Sequence, residues 1–212
     1  MRMLRVSILL VSAAAVAGFA QQWEFGGSGG VSFLNSVAVS SADGSATAGF
    51  KPGAAFGAYV GYDSYKHIGG EVHYEFLQSN LKLASGGTTA SFPGVSHALH
   101  YDVIFHTSAH ESKMQLFAAV GGGMKLFRAT GAPSSFQPLS QFGYFTQTQS
   151  MKPMASVGGG VKWTLSRKVF LRTEIRDYIT AFPTQIITPA PGTKYGTLLH
   201  DLVPMVGLGF EM

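Results

Sequence analysis

Residues 169–178, VFLRTEIRDY, alternate without a break. Val169, Leu171, Thr173 and Ile175 point one way, and Phe170, Arg172, Glu174, Arg176 and Tyr178 point the other, because successive side chains of a strand lie on opposite faces. One face is mostly apolar. The other is a row of alternating charges between two aromatic rings. A sheet in water buries its apolar face, whereas a small barrel in lipid turns that face outward and keeps the polar one in its lumen.

The same period recurs along the chain. Residues 23–34 place Trp23, Phe25, Val31 and Phe33 against Glu24, Ser28 and Ser32. Residues 53–62 align Phe56, Ala58, Val60 and Tyr62. Residues 68–78 set Ile68, Val72, Tyr74 and Phe76 against Glu71, His73 and Glu75. Residues 96–106 set Leu99, Tyr101, Val103 and Phe105 against His100, Asp102 and His106. Residues 115–128 set Leu116, Val120, Met124 and Leu126 against Gln115 and Lys125, and residues 153–165 set Val157, Val161 and Trp163 against Ser156, Lys162 and Thr164. Residues 202–212 close the series with Leu202, Val206, Leu208, Phe210 and Met212 on one face.

The pattern predicts eight strands. The segments between them, 35–51, 79–94, 129–150 and 179–199, read as long Gly-, Ser-, Thr-, Gln- and Pro-containing loops. They alternate strictly with short turns at 63–66, 107–113 and 166–168. Strict alternation sends every long loop to one end of an up-and-down barrel, as in outer-membrane barrels with short periplasmic turns and long extracellular loops. A strand of about ten residues spans a bilayer when tilted, and closure leaves no unpaired backbone edge in lipid.

Composition sharpens this reading. Charged residues make up 12% of the 212, against roughly 25% in soluble domains. No apolar run after the N-terminus is long enough for a spanning helix. Residues 1–20 read as a secretory signal peptide, with Arg2 and Arg5, an apolar stretch over 6–16, and small residues before an expected cleavage after Ala20. The expected mature barrel is 21–212. Its formal charge falls from +4 to +2 once Arg2 and Arg5 are removed, so the basic balance is no argument for nucleic acid. The absence of cysteine excludes disulfides, thiol chemistry and a lipoprotein anchor.

With these strands, glycine-rich halves such as Val120-Gly121-Gly122-Gly123 and Val157-Gly158-Gly159-Gly160, and the strand LRTEIRDY, the chain resembles the small eight-stranded barrels of the OmpA transmembrane-domain and OmpX class. The resemblance implies an all-β, antiparallel transmembrane barrel in the outer membrane of a Gram-negative-type bacterium. It implies outer-membrane lipid, the barrel assembly machinery and periplasmic chaperones as partners; the four long loops, carried on a rigid scaffold, are the expected contact for an extracellular partner. Such chains usually end on an aromatic residue that the assembly machinery reads. Here Met212 is last and Phe210 stands two positions earlier on the same face, so these two are the expected assembly signal.

The inward set is Glu71, His73, Glu75, His100, Asp102, Lys125, Lys162, Arg172, Glu174 and Arg176. Eight strands enclose a lumen just wide enough for side chains to fill, and a buried lone charge is costly, so these groups are expected to pair into a plug. A metal site at Glu71, His73, His100 and Asp102 is the sharper reading, and no metal or cofactor is expected. Ser96-His97 and His200-Asp201, near the loop end, are the sequence pairs that could serve a lipid-modifying enzyme; without a third group or an oxyanion donor, no catalytic residue is assigned. A soluble periplasmic barrel with an apolar ligand is the remaining alternative, and it requires the opposite polarity of faces. The outward aromatics Trp23, Tyr62, Tyr74, Tyr101 and Trp163 suit an interfacial girdle.

Overall fold

The computed structural model describes residues 22–42, 44–65, 67–107, 112–132 and 134–212. The signal peptide expected over 1–20 lies outside the described residues. Fifteen strands and no helix are present among them: β1 Gln22–Leu34, β2 Val37–Ser41, β3 Gly44–Phe50, β4 Gly53–Tyr65, β5 Ile68–Gln78, β6 Leu81–Ser85, β7 Thr88–Phe92, β8 Gly94–His106, β9 Met114–Ala129, β10 Gly143–Phe145, β11 Gln149–Thr164, β12 Val169–Ala181, β13 Ile187–Pro189, β14 Lys194–Tyr195 and β15 Leu198–Glu211.

Eight of them close into an antiparallel barrel in the order β1-β15-β12-β11-β9-β8-β5-β4, so each barrel strand pairs with its neighbours in the chain and β15 seals against β1. At the seam Phe25 pairs with Phe210, and Met212 N–H donates to the Trp23 carbonyl at 2.9 Å. The expected strands are all present, and β5 has the bounds read from the sequence. Most of the others run further toward the loop end: β11 begins at Gln149 and β15 at Leu198. At the opposite end β4 extends to Tyr65 through an irregular register between Asp63 and Tyr65, so the first short turn is tighter than 63–66.

The outward face is apolar over the whole belt. Phe56, Leu99, Val120, Ile175, Val206 and Leu208 all stand exposed on it. Water would reject such a surface, and lipid accepts it. The soluble alternative needed polar outward faces, and the structure has the reverse. Trp23, Tyr62, Tyr101 and Trp163 gather at the end with the short turns, where Trp23 and Tyr62 approach to 6.0 Å between rings and the Tyr62 and Tyr101 hydroxyls lie 3.2 Å apart. Tyr74 departs from the group: it sits farther up β5, with its hydroxyl 2.8 Å from His97 Nδ1.

The long connections are not open loops. β14, β2, β3, β6 and β7 form a five-stranded sheet, and β10 pairs with β13. Together they cap the barrel over an apolar core that includes Val39, Phe50, Leu83, Phe142 and Ile187. Residues 35–51 and 79–94 were expected as solvated loops because their Ser and Gly content dominates the reading. Inside them Val37, Val39, Ala46 and Ala48, then Leu81 and Leu83, alternate and are buried on one face. The turns carry the positive φ angles that hairpins require, 55° at Gly86 and 82° at Gly87, where glycine adopts them without strain.

Candidate functional site

All ten residues of the predicted lumen set are buried in the barrel interior. The alternation of β5, β8, β9, β11 and β12 aims them there, and the register brings Glu71 opposite Asp102 and His73 opposite His100. Arg172 makes a two-pronged contact with Glu71, at 2.7 and 2.8 Å, and donates to Glu174 at 3.0 Å. Arg176 donates from Nε to Glu174 at 3.0 Å and from Nη1 to Asp102. Two guanidinium groups thus bind three carboxylates from three strands, the planar fork geometry for which arginine is suited.

His73 Nε2 lies 2.7 Å from Glu71 Oε2 and 3.1 Å from Arg176 Nη2. One ring nitrogen cannot donate to the first and accept from the second, so the shorter contact to the carboxylate places the proton on Nε2. The imidazole is then a donor to Glu71, and its contact with Arg176 is packing. Rings stack across the lumen from Tyr59 to His73 and from His73 to His100, each at 5.1 Å, and Tyr178 meets His100 at a tilt, 5.2 Å between ring centres. Glu75 is fully buried beside this column, 3.8 Å from His73 Nδ1. Gly57 makes room for it: a Cβ there would overlap the Glu75 carboxylate.

Two further pairs lock the ends. Lys162 donates to both oxygens of Glu24, at 2.6 and 2.7 Å, near the short turns. Lys125 meets Asp201 at 2.5 Å near the cap, and Ser32 donates to the same carboxylate at 2.7 Å. Aromatic faces cover the cations. Arg172 lies 4.5 Å from the Tyr59 ring centre and 4.4 Å from that of Phe117, Lys162 lies 5.3 Å from Phe170, and Lys125 lies 5.2 Å from Phe127. Each of these three cations therefore has a carboxylate on one side and a π face on another, which offsets part of its desolvation.

The site set missed Glu24, Ser32, Tyr59, Tyr178 and Asp201. Parity alone would have found them, since each sits on the inward register of its strand; the two aromatic ones stay hidden to a search for charge. Among the described residues no group of three or more His, Asp and Glu side chains is arranged to hold a metal ion. Glu71, His73, His100 and Asp102 come together as expected: the two arginines hold the carboxylates, while His73 pairs with Glu71 and His100 Nδ1 lies 3.1 Å from Asp102.

The sequence pairs near the loop end are split by the wall. Ser96 faces inward, within hydrogen-bond distance of the Ser79 hydroxyl at 2.8 Å, while His97 faces outward to Tyr74. Asp201 faces inward to Lys125, while His200 faces outward, 2.8 Å from Asp177. Adjacency in a strand separates side chains, so neither pair forms a dyad.

The barrel shares its fold with small outer-membrane barrels. It is similar to the outer membrane protein OprG from Pseudomonas aeruginosa, at 13% identity and a TM-score of 0.58, over 91% of this chain and 95% of that one. It is also similar to Neisserial surface protein A (NspA), at 12% identity and a TM-score of 0.52, over 92% of this chain and 100% of that one. No protein-family model matches the chain, and no curated protein matches it in sequence. The likeness is one of architecture: a closed eight-stranded barrel of the outer-membrane kind.

Proposed function

We propose that this chain is an integral outer-membrane barrel with a closed lumen, acting at the cell surface through its folded cap and without catalysis. One observation carries the reading. The polar interior is filled by ion pairs that span the barrel from Glu24–Lys162 at one end to Asp201–Lys125 at the other, with side chains buried throughout. A conducting lumen needs free volume and mobile water along its axis. Here the axis is occupied by guanidinium groups, carboxylates and stacked rings. The cap core then covers the upper mouth, with Phe127 of β9 and Leu199 of β15 shared between cap and barrel rim.

Absence of catalysis is supported by the placement of Ser96, His97, His200 and Asp201 on opposite sides of the wall. The working surface is then the cap, and an extracellular partner or ligand would meet it there. The test is reconstitution of the mature chain in planar bilayers, with heat-modified gel migration as the check for a closed barrel. The expected result is a heat-sensitive band and no conductance above that of lipid. Steady ion channels from the folded form would overturn the closed-lumen reading.

A further inference from the structure

A cleft of about 430 Å³ opens between β7 and the segment that follows β9. One side is Thr89, Ala90, Ser91, Phe92 and Pro93, five consecutive residues. Consecutive residues of a strand belong to both of its faces, so the cleft runs along the strand's edge. β7 ends the five-stranded sheet and, among the described residues, pairs only with β6, which leaves its other edge turned to this space.

The opposite side is Gly131, Ala132, Ser134, Phe136, Gln137 and Pro138, with Phe145 between the two sides. This side is held in place. Gln137 donates from Nε2 to the Phe145 carbonyl at 3.0 Å and accepts the Phe145 N–H at 2.7 Å. One end is shut where Gly131 packs against Phe92 and Pro93 so tightly that a Cβ would come within 2.8 Å of each. The Phe92 and Phe145 rings stack at 5.7 Å inside, and Phe136, 77% exposed, stands over the opening.

The cap is bathed in water rather than lipid, so this aromatic surface has no lipid to cover it. The volume lies within the range of small-molecule sites, and is roughly three times a cavity that holds one benzene. None of the lining residues carries a charge. We infer that the cleft is a binding site for a small uncharged molecule of one or two rings, its ring between Phe92, Phe136 and Phe145 and a hydroxyl or amide group on the free backbone edge of β7. The inference rests on the reading that the cap faces water, and it is independent of whether the lumen conducts.

The test is a titration of the isotope-labelled mature chain in lipid nanodiscs with 2-naphthol, followed by amide chemical shifts. Saturable shifts at Thr89, Ser91, Gly131, Ala132 and Phe145 are expected, weakened about tenfold by Phe136→Ser, as fits the loss of one apolar wall. Ala132→Trp, which fills the cleft, is expected to abolish them while leaving the remaining cap resonances in place. Naphthalene-2-sulfonate has the same rings with a charge, and is expected to bind at least tenfold more weakly. Non-saturating shifts confined to the lipid belt around Leu99 and Val120 would overturn the site. So would saturable binding unaffected by both variants, or equal binding of the sulfonate. Line broadening at β7 that rises with protein concentration alone would assign the edge to a second copy of the chain and overturn it too. A conducting barrel that still binds 2-naphthol in the cleft would lose the closed lumen and keep this site.

Discussion

Below the rim, the interior holds Arg172, Arg176, Lys125 and Lys162 with their carboxylates; above it, the interior holds Phe50, Leu83, Phe127 and Ile187. The same strands pass through both regions. On β5 the inward side changes from Glu75 to Leu77, and the outward side from Phe76 to Gln78. On β9 the inward side changes from Lys125 to Phe127 while the outward side changes from Leu126 to Arg128. On β15 the change falls between Leu199 and Asp201. Polarity inverts on both faces within one alternation, at one level of the barrel. That level is where the surrounding medium changes from lipid to water, since the interior of each region is the complement of what lies outside it.

The comparison is broken most severely by deleting a lumen cation. Arg176→Ala leaves Asp102 and Glu174 without one of their partners and is expected to destabilise by about 3–5 kcal/mol, the cost of an uncompensated buried charge. Urea unfolding of the detergent-folded barrel measures it. A change below about 1 kcal/mol would mean that water already reaches the interior, against the plugged lumen. Removing both members of a pair is gentler: Glu24→Gln with Lys162→Met is expected to stay within about 1–2 kcal/mol of the parent, because no lone charge remains.

The matching deletion in the cap is apolar. Leu83 is 1% exposed in the cap core, and Leu83→Ala is expected to cost about 2–5 kcal/mol. The loss should stay local. Amide exchange in β2, β3, β6 and β7 should accelerate while the barrel ladders keep their protection. Uniform acceleration through β5 and β8 would show that cap and barrel unfold as one unit.

The outer surfaces can be compared by placing one residue on each. Val120→Arg in the belt is expected to cost about 2–4 kcal/mol in lipid, whereas Thr89→Arg on the exposed cap edge should change stability by less than about 0.5 kcal/mol. Equal costs would sink the assignment of two media.

The barrel was legible in the sequence because period two, with seven connections alternating long and short, is a long-range pattern that few architectures satisfy. The lumen set followed from parity. The cap was not read, although its signals are present. The sequence holds Asp-Gly at 43–44 and Gly-Gly at 86–87, hairpin-type dipeptides flanked by Val37, Val39, Ala46 and Ala48 and by Leu81, Leu83 and Ala90, and Gly86-Gly87 forms the two-residue turn between β6 and β7. They were masked by small residues: Ala46 and Ala48 build a buried face with little hydrophobic bulk, so the segment resembles a polar loop. Glu24 and Asp201 were left out of the lumen set although parity turns both inward: Glu24 is the lone charge of β1, and Asp201 was read as the neighbour of His200 rather than as a lumen group.

The smallest expected effect concerns a single hydroxyl in the cap. Tyr195 donates to the Phe142 carbonyl at 3.0 Å, and its ring lies 5.4 Å from that of Phe182. Burial pushes its phenol from the ordinary value of 10 up to about 12. Folding therefore favours the neutral phenol. Its contribution is complete below the unfolded value, and is lost as pH rises from there toward the folded one. Tyr195→Phe is expected to cost about 0.5–1.5 kcal/mol near neutral pH, the net worth of one hydrogen bond. The difference between parent and variant should shrink between about pH 10 and pH 12, as the unfolded phenol ionises and the folded one does not. Tyrosinate absorbance of the two proteins should differ by one group that titrates above the ordinary phenol value. A difference titrating near the ordinary value would place this ring in water, and would move the boundary of the cap core inward from β14.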